Sequence, residues 1–390
     1  MFRFFPRVIV ASSAEIAPIE QTQQSGPAYK YSNPTERELT KLSIRGNRFP
    51  FVLSTTQKMA QPTAHNGKDS EATIYKMADK DGQFRRKPSS FRSLVSPDPS
   101  AKFAAEKDRY VLYVNWGCPW AHRTNIVRSL KGLEDIIQLV VMDFTLTPEG
   151  WLFNGNHGTM EKDPLYGFTK LSELYYKADP NYEGRYTVPV LWDKKTQTIV
   201  NNESSEIIRM FYTAFDHLLP ESLREASHPA GGYLPHHLRQ EIEEMNDWVY
   251  DKINNGVYKT GFATTQEAYL SNVIPLFESL DRLENHLEEK KTKYLFGSHI
   301  TEADIRLYTT LIRFDVAYYT IFKCNYKMIR YDYPRLHRWL RVLYWEDNGD
   351  TRDAFRKTTY FETYKEGYSR SLQMPIVPYG PKYDIMPLED

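Results

Sequence analysis

Asn115-Trp116-Gly117-Cys118-Pro119-Trp120-Ala121-His122-Arg123 sets one thiol between two stretches of different periodicity. Ahead of it, Arg109 to Val114 is short, β-branched and aromatic, the pattern of a buried strand. Behind it, Trp120 to Leu130 carries Ala121, Ile126, Val127 and Leu130 near helical spacing, and Pro119 suits the first helical position. Cys118 therefore falls at a strand-to-helix junction. Unpaired amides and the positive end of the helix dipole favour a thiolate there, and cysteine pKa values in such places fall to roughly 3.5–7.5. An inert, packed thiol is the commonest fate of a free cysteine, but a junction cysteine followed by proline matches the reactive environment better.

Ala121 stands where a Cys-x-x-Cys redox pair would need its second sulfur. A disulfide formed at Cys118 must then be resolved by a thiol from another molecule, and glutathione is the candidate. The chain has 390 residues and is 41% hydrophobic, enough for a large core and two or three domains. Its 50 basic and 50 acidic residues balance, which gives no electrostatic reason to expect nucleic acid or an anionic membrane as partner. Two cysteines, Cys118 and Cys324, make no disulfide scaffold and fit a reducing compartment. No apolar run approaches the ~20 residues of a membrane helix. The expectation is a cytoplasmic protein with no membrane partner.

Residues 1–76 are rich in Ser, Thr, Gln and Pro, lack periodicity and are expected to be disordered. Arg3 and Arg7, with apolar residues, two serines and no acid in the first fourteen positions, weakly resemble a mitochondrial presequence, against which Pro6 and Pro18 count. Met59 and Met77 are alternative starts. Residues 77–106 read as an arm in which Gln83-Phe84-Arg85-Arg86 is basic: the stretch could bind an anion, but a solvated arm is the preferred reading. Residues 107–217 then show strand, helix and strand (Ile136 to Phe144), which implies parallel pairing. A long insertion over 145–186, with a short helix at Lys170 to Lys177, is followed by a hairpin of Thr187–Asp193 and Thr198–Val200 and a helix over Ser204–Phe215. Residues 218–372 are all helical. Leu238–Ile253 buries Ile242, Met245, Val249 and Ile253; Gln266–Leu287 carries Leu270, Val273, Leu276, Phe277, Leu280, Leu283 and Leu287; Thr301 and Asp304 form a capping signal. Residues 373–390, with four prolines, read as an extended tail.

The β-α-β unit with Cys118-Pro119, the Val188-Pro189 strand, the Glu203-Ser204 helix start and the helical second half together resemble a cytosolic glutathione transferase of the cysteine type. The strings Asn115 to Arg123, Arg185 to Asp193, Asn202 to Phe211, Asn254 to Lys259, Thr301 to Leu307 and Phe322-Lys323-Cys324 are similar to those of the glutathionyl-hydroquinone reductases, the Xi class, over roughly residues 80–373. The resemblance implies an α/β thioredoxin-like, glutathione-binding domain over 107–217 and an all-α domain over 218–372. It implies glutathione as co-substrate and no metal, with S-glutathionyl-hydroquinones as substrates and a homodimer as assembly. Cys118 is then the nucleophile. Val188-Pro189 is a cis peptide pairing with the cysteinyl part of glutathione. Glu203 and Ser204 take the γ-glutamyl end, Trp151 and Arg185 make further glutathione contacts, and Tyr258, Tyr318 and Tyr368 line the quinol pocket, with Tyr258 as the proton donor. An Omega-like thioltransferase or dehydroascorbate reductase would share Cys118 and differ in the acceptor pocket. A non-catalytic interaction module has no use for Cys118-Pro119.

His228, His236 and His237 lack the companions a metal site needs. Glu241, Glu243 and Glu244 fall on the polar side of an amphipathic helix. Cys324 reads as a packed thiol.

Overall fold

The all-buried run Tyr110–Asn115 forms the first strand, β1, and a computed structural model places it second in a four-stranded sheet. The structure describes residues 78–147 and 149–388. The expected disordered extension and targeting segment over 1–76 lie outside the described residues. β1 runs parallel to β2 (Gln138–Met142), with Val111 opposite Gln138 and Asn115 opposite Met142. The crossover between them is α1 (Pro119–Leu130), as parallel pairing requires. A two-stranded ribbon, β3 (Leu146–Thr147) and β4 (Gly150–Trp151), and α2 (Leu171–Ala178) occupy the insertion. On its other edge β1 pairs antiparallel with β5 (Val190–Asp193), which pairs with β6 (Thr198–Asn201), giving the order β2-β1-β5-β6.

The hairpin's first strand begins at Val190, three residues later than the sequence predicts. Pro189 has no N–H to give to a ladder, so pairing starts beyond it. α3 (Ser204–Thr213) follows and packs beside α1. Arg109, just before β1, and Asp193, at the end of β5, tie two neighbouring strands by a bidentate pair at 2.8 and 2.7 Å.

The helical half departs from a plain reading of periodicity in one respect. The stretch expected as a single helix to Ile253 is α4 (Arg239–Val249) continued by a π-helical turn, Tyr250–Asn254, and then α5 (Gly256–Gly261). A second π turn, Phe314–Tyr318, follows the helix Glu302–Leu311. Such turns admit one extra residue and recur at functional sites; here they neighbour or contain Tyr258 and Tyr318. The long α6 (Gln266–Lys290) buries Val273, Leu276, Phe277, Leu280, Leu283 and Leu287. Leu270, expected with them, is 43% exposed: it lies in the first turns of α6, off the buried stripe.

The residues expected as a solvated arm are anchored instead. Phe84, Val95 and Phe103 are buried, and backbone bonds join Ser93 to Val200 and Asn202 to Phe91. Residues 374–388 form neither helix nor strand, yet Arg330, Arg341 and Trp345 donate to their carbonyls. Among the described residues, no helix is long and apolar enough to cross a membrane.

α7 (Glu302–Leu311) starts at the predicted cap. The fully buried Asp304 accepts from Thr301 N at 2.9 Å, Thr301 Oγ1 at 3.0 Å, Leu295 N at 2.9 Å and Trp339 Nε1 at 2.8 Å. One carboxylate thus serves the cap, a neighbouring loop and the helix Pro334–Trp345. Asp304→Ala strands these donors and is expected to lower unfolding stability by about 3 kcal/mol, seen as an earlier denaturant midpoint by circular dichroism; an unchanged midpoint would show the network to be dispensable.

Candidate active site

Cys118 is the residue that starts α1. Its backbone is extended, its carbonyl accepts from His122 N at 3.0 Å, and Pro119 takes the first helical position. Asn115 shapes the turn before it: Nδ2 donates to Asp143 O at 2.6 Å while Oδ1 accepts from Gly117 N at 2.7 Å. The sulfur lies 3.5 Å from Val188 O, the carbonyl of the cis Val188–Pro189 peptide.

The structure reverses the sequence-based expectation that this thiol ionises easily. Burial pushes the Cys118 thiol above the usual cysteine range. The amides of Ala121 and Trp120 and the guanidiniums of Arg86 and Arg313 pull it down, but not far enough. The helix start was legible; the desolvation that the surrounding chain imposes on this partly exposed cysteine was not.

Of the residues expected to hold glutathione, Val188 and Pro189 face the sulfur and are buried. Ser204 is the first residue of α3 and 3% exposed. Glu203 caps that helix with its own carboxylate: Oε1 accepts from Ser205 N at 3.1 Å and Ser205 Oγ at 2.9 Å, and Oε2 from Ser89 Oγ at 3.0 Å. Burial alone would raise this carboxyl, but those donors and the charge of Arg123 outweigh it and hold it below the usual glutamate range. Glu203 is therefore an anion ready for an ammonium group. Arg185 is exposed in the loop before the cis peptide, and burial of its surroundings, then Arg86, lower its pKa. Trp151 sits in β4 opposite Leu146. Among the described residues no hydrogen bond or ring contact links Trp151 to Cys118, Glu203 or the tyrosines.

The three predicted tyrosines come together from three elements. Tyr258 is on α5, Tyr318 ends the π turn and Tyr368 is on the helix Phe361–Ser371. Tyr258 Oη and Tyr368 Oη are 3.0 Å apart, Tyr318 Oη and Tyr368 Oη 2.8 Å, and Tyr368 Oη donates to Gly117 O at 3.2 Å. A hydroxyl has one proton. Because Tyr368 spends its proton on Gly117 O, it accepts from both Tyr258 and Tyr318. Burial, then the charge of Cys118, raise the Tyr258 phenol, which keeps its proton through the neutral range.

Several contributors carried no short motif. Arg313, fully buried, donates through Nε to Gly117 O at 3.2 Å and through Nη2 to Trp116 O at 3.3 Å. Its Nη1 donates to His122 Nδ1 at 3.0 Å, so the His122 proton sits on Nε2 and goes to Thr358 Oγ1 at 2.9 Å. Burial, then Arg313, hold His122 neutral, well below its ordinary pKa. The one available signal was an arginine in an apolar helical run, Leu311-Ile312-Arg313-Phe314. Phe322 stacks on Tyr318 with centroids 5.2 Å apart and meets Tyr258 at 5.5 Å. It gets this close because residue 261 is glycine: a Cβ there would lie 2.3 Å from Phe322 Cγ. Cys324 is fully buried, and burial raises its thiol. Of the three histidines set aside, His236 and His237 are exposed and His228 is half-buried against Tyr233. Among the described residues no group of three or more His, Cys, Asp or Glu could hold a metal ion.

Comparison with known proteins agrees with this layout. Residues 117–214 match the glutathione S-transferase N-terminal domain family and residues 266–341 the C-terminal domain family. The chain is 49% identical over 316 residues to glutathione S-transferase omega-like 2 of Schizosaccharomyces pombe, covering 80% of this chain and 97% of that protein. It is 46% identical over 323 residues to the glutathionyl-hydroquinone reductase YqjG of Escherichia coli, covering 80% and 93%. The glutathione-bound structure of YqjG superposes with a TM-score of 0.69 at 45% identity, covering 79% of this chain and 96% of that one. The crystal structure of glutathione-S-transferase Xi from Phanerochaete chrysosporium superposes at 0.75 with 51% identity, covering 82% and 99%. With a thioredoxin-like half and a helical half meeting at Cys118, and with relatives this similar over nearly their whole length, the chain belongs to the Xi class of the glutathione transferases.

Proposed function

We propose that the protein reduces S-glutathionyl-hydroquinones to hydroquinones, with a second glutathione as reductant and glutathione disulfide as the other product. The observation that carries this reading is the joint placement of Cys118 and the tyrosines: the sulfur lies beside the Val188 carbonyl, and the hydroxyl chain of Tyr258, Tyr318 and Tyr368 ends on the carbonyl just before it. Cys118 as thiolate attacks the sulfur of the conjugate. The carbon–sulfur bond breaks, its electron pair stays with the ring carbon, and that carbon takes a proton, with Tyr258 as the donor. The ring gains two electrons, and Cys118 and the glutathionyl sulfur become a mixed disulfide. A second glutathione thiolate attacks that disulfide, frees Cys118 and leaves as glutathione disulfide. Val188, Pro189, Glu203, Ser204, Arg185 and Trp151 hold glutathione, and Tyr258, Tyr318 and Tyr368 hold the quinol.

A raised thiol is compatible with this chemistry. Each unit of increase lowers the thiolate fraction tenfold but raises the nucleophilicity of what remains, so the net loss is only about threefold. The pH dependence follows from the sign of the shift. With its pKa above the ordinary cysteine value, Cys118 gains thiolate through pH 7–9, and adduct formation is expected to climb across that range. A rate already level at pH 7 would contradict the burial argument.

The name of the S. pombe relative, omega-like, supports a second reading, thiol transfer or dehydroascorbate reduction at the same sulfur. Assaying glutathionyl-hydroquinone, a mixed-disulfide substrate and dehydroascorbate on one preparation separates the two. On the proposed reading the family habit of forming dimers extends to this chain, which light scattering in solution checks.

Intact mass after mixing with a glutathionyl-hydroquinone should show one glutathione on Cys118 that disappears when free glutathione is added. Cys118→Ser should abolish turnover while glutathione still binds; normal turnover in that variant removes the mechanism. Tyr258→Phe should slow hydroquinone release by about 100-fold while Cys118 still reacts with glutathione disulfide at its usual rate. Equal effects on both reactions would reduce Tyr258 to a packing residue.

A further inference from the structure

The N-terminal arm lies outside both matched domain families, whose first residue is 117, yet it touches three parts of the site. Its first turn is fastened to the helical half: Thr264 N donates to Gly82 O at 3.3 Å, Gln83 Nε2 to Ser271 Oγ at 3.1 Å, and Asn272 Nδ2 to Gln83 Oε1 at 2.8 Å. Phe84 then packs against Phe262 and Tyr258, with centroids 5.5 and 6.3 Å apart. Farther on, the arm is fastened to the α/β half. Ser89 Oγ donates to Glu203 Oε2, Phe91 N donates to Asn202 Oδ1 at 3.1 Å, and Arg92 Nε donates to Glu206 Oε2 at 2.7 Å. Residues 85–88 span the gap between these anchors.

Two adjacent arginines begin that span, and their surroundings differ. Arg85 is matched by Asp79 at 2.8 Å and by Asp81 at 2.5 Å. Arg86 has no acidic partner among the described residues. Its Cζ lies 4.2 Å from the ring centroid of Trp120, two residues after Cys118, and the same ring carries Arg123 at 4.5 Å. We propose that Arg86 is a positioning residue of the active site: held over Trp120 by the two anchors, it supplies a cation to the anions that meet at Cys118, first the cysteine sulfur and then the incoming glutathione. The inference rests on the reading of Cys118 as the nucleophile.

Two electrostatic relations agree with that placement. Arg86 acts on the Cys118 sulfur in the direction that favours the thiolate, and on the cations Arg185 and Arg123 in the direction that repels. Asp79 offsets part of this at Arg185 and Glu203 part of it at Arg123, and an anion arriving at the cluster relieves the repulsion that remains. The charged and titratable groups near the sulfur are Arg86 from the arm, Arg313 from the turn after α7 and Tyr258 from α5. Arg313 is committed to three carbonyls, Gly117 O, Trp116 O and Thr309 O, and to His122 Nδ1. That leaves Arg86 as the exposed cation able to follow the substrate.

The test is alkylation of Cys118 in the full chain, by neutral iodoacetamide and anionic iodoacetate at pH 8, read by peptide mass for the wild type, Arg86→Gln and Arg86→Lys. Arg86→Gln is expected to slow iodoacetamide about threefold and iodoacetate about tenfold, while Arg86→Lys keeps both within about twofold. Equal slowing of both reagents would mean altered access rather than lost charge, and rates equal to the wild type would mean no role; either overturns the proposal. Adduct formation with glutathionyl-hydroquinone, run on the same samples, reads the mechanism separately. Its absence in the wild type removes the reading of Cys118 and leaves the Arg86 contrast to be judged by its own rates.

Discussion

On the proposed reading, holding a negative charge on a sulfur that its surroundings partly desolvate is the constraint on which the rest of the site depends. A helix N-terminus stabilises an anion by about 1 kcal/mol and at most about 2, which corresponds to little more than one pKa unit. Burial can move a thiol by several units the other way. The start of α1 therefore cannot carry the task alone, and the direction found for Cys118, above the ordinary value, is the expected result of that imbalance. What offsets it comes from outside the α/β half: Arg313 from the helical half and Arg86 from the arm. A thioredoxin-like unit by itself has the cysteine but not the charges.

The same requirement explains how the halves are joined. Gly117 O receives Arg313 Nε and Tyr368 Oη, both at 3.2 Å, so its two lone pairs are used by two elements of the helical half. The carbonyl before Cys118 is thus fixed by Arg313 and by Tyr368, one of the three tyrosines that border the quinol on the proposed reading. His122 and Thr358 extend this contact along α1, and Arg123 adds a bond from Nη2 to Asn254 Oδ1 at 3.0 Å. A displacement of the helix Phe361–Ser371 or of the turn at Phe314–Tyr318 would reach the cysteine through its backbone.

Local chemistry was legible in the sequence and global enclosure was not. Cys118-Pro119 announced a helix start and Thr301 with Asp304 a cap, because each depends on neighbours within a few residues. The three tyrosines were not separable from the other 25 by composition; only the resemblance singled them out, since their meeting depends on helices far apart in the chain. Phe84 was misjudged for a related reason. A polar segment without periodicity reads as solvated, although a few well-placed anchors, such as Phe84 against Phe262, suffice to dock it. The raised thiol was missed because burial is a property of the assembled halves, while the dipole argument uses one helix.

The direction of the hydrogen bonds among the tyrosines bears on which substrates this pocket favours. With Tyr368 committed to Gly117 O, the protons of Tyr258 and Tyr318 both point at Tyr368. A quinol oxygen arriving beside Tyr258 can take that proton in place of Tyr368, which keeps a second donor in Tyr318. One hydrogen bond is exchanged for another, so the polar cost of binding is small, and the aromatic walls of Phe322, Phe262 and Phe84 add apolar contact. A small polar acceptor would need more of its groups satisfied than these phenols can manage without leaving buried donors unpaired. On the proposed reading, this asymmetry is the physical reason for the chain to favour an aromatic alcohol over a compact, heavily hydrated substrate, although the sulfur would serve either.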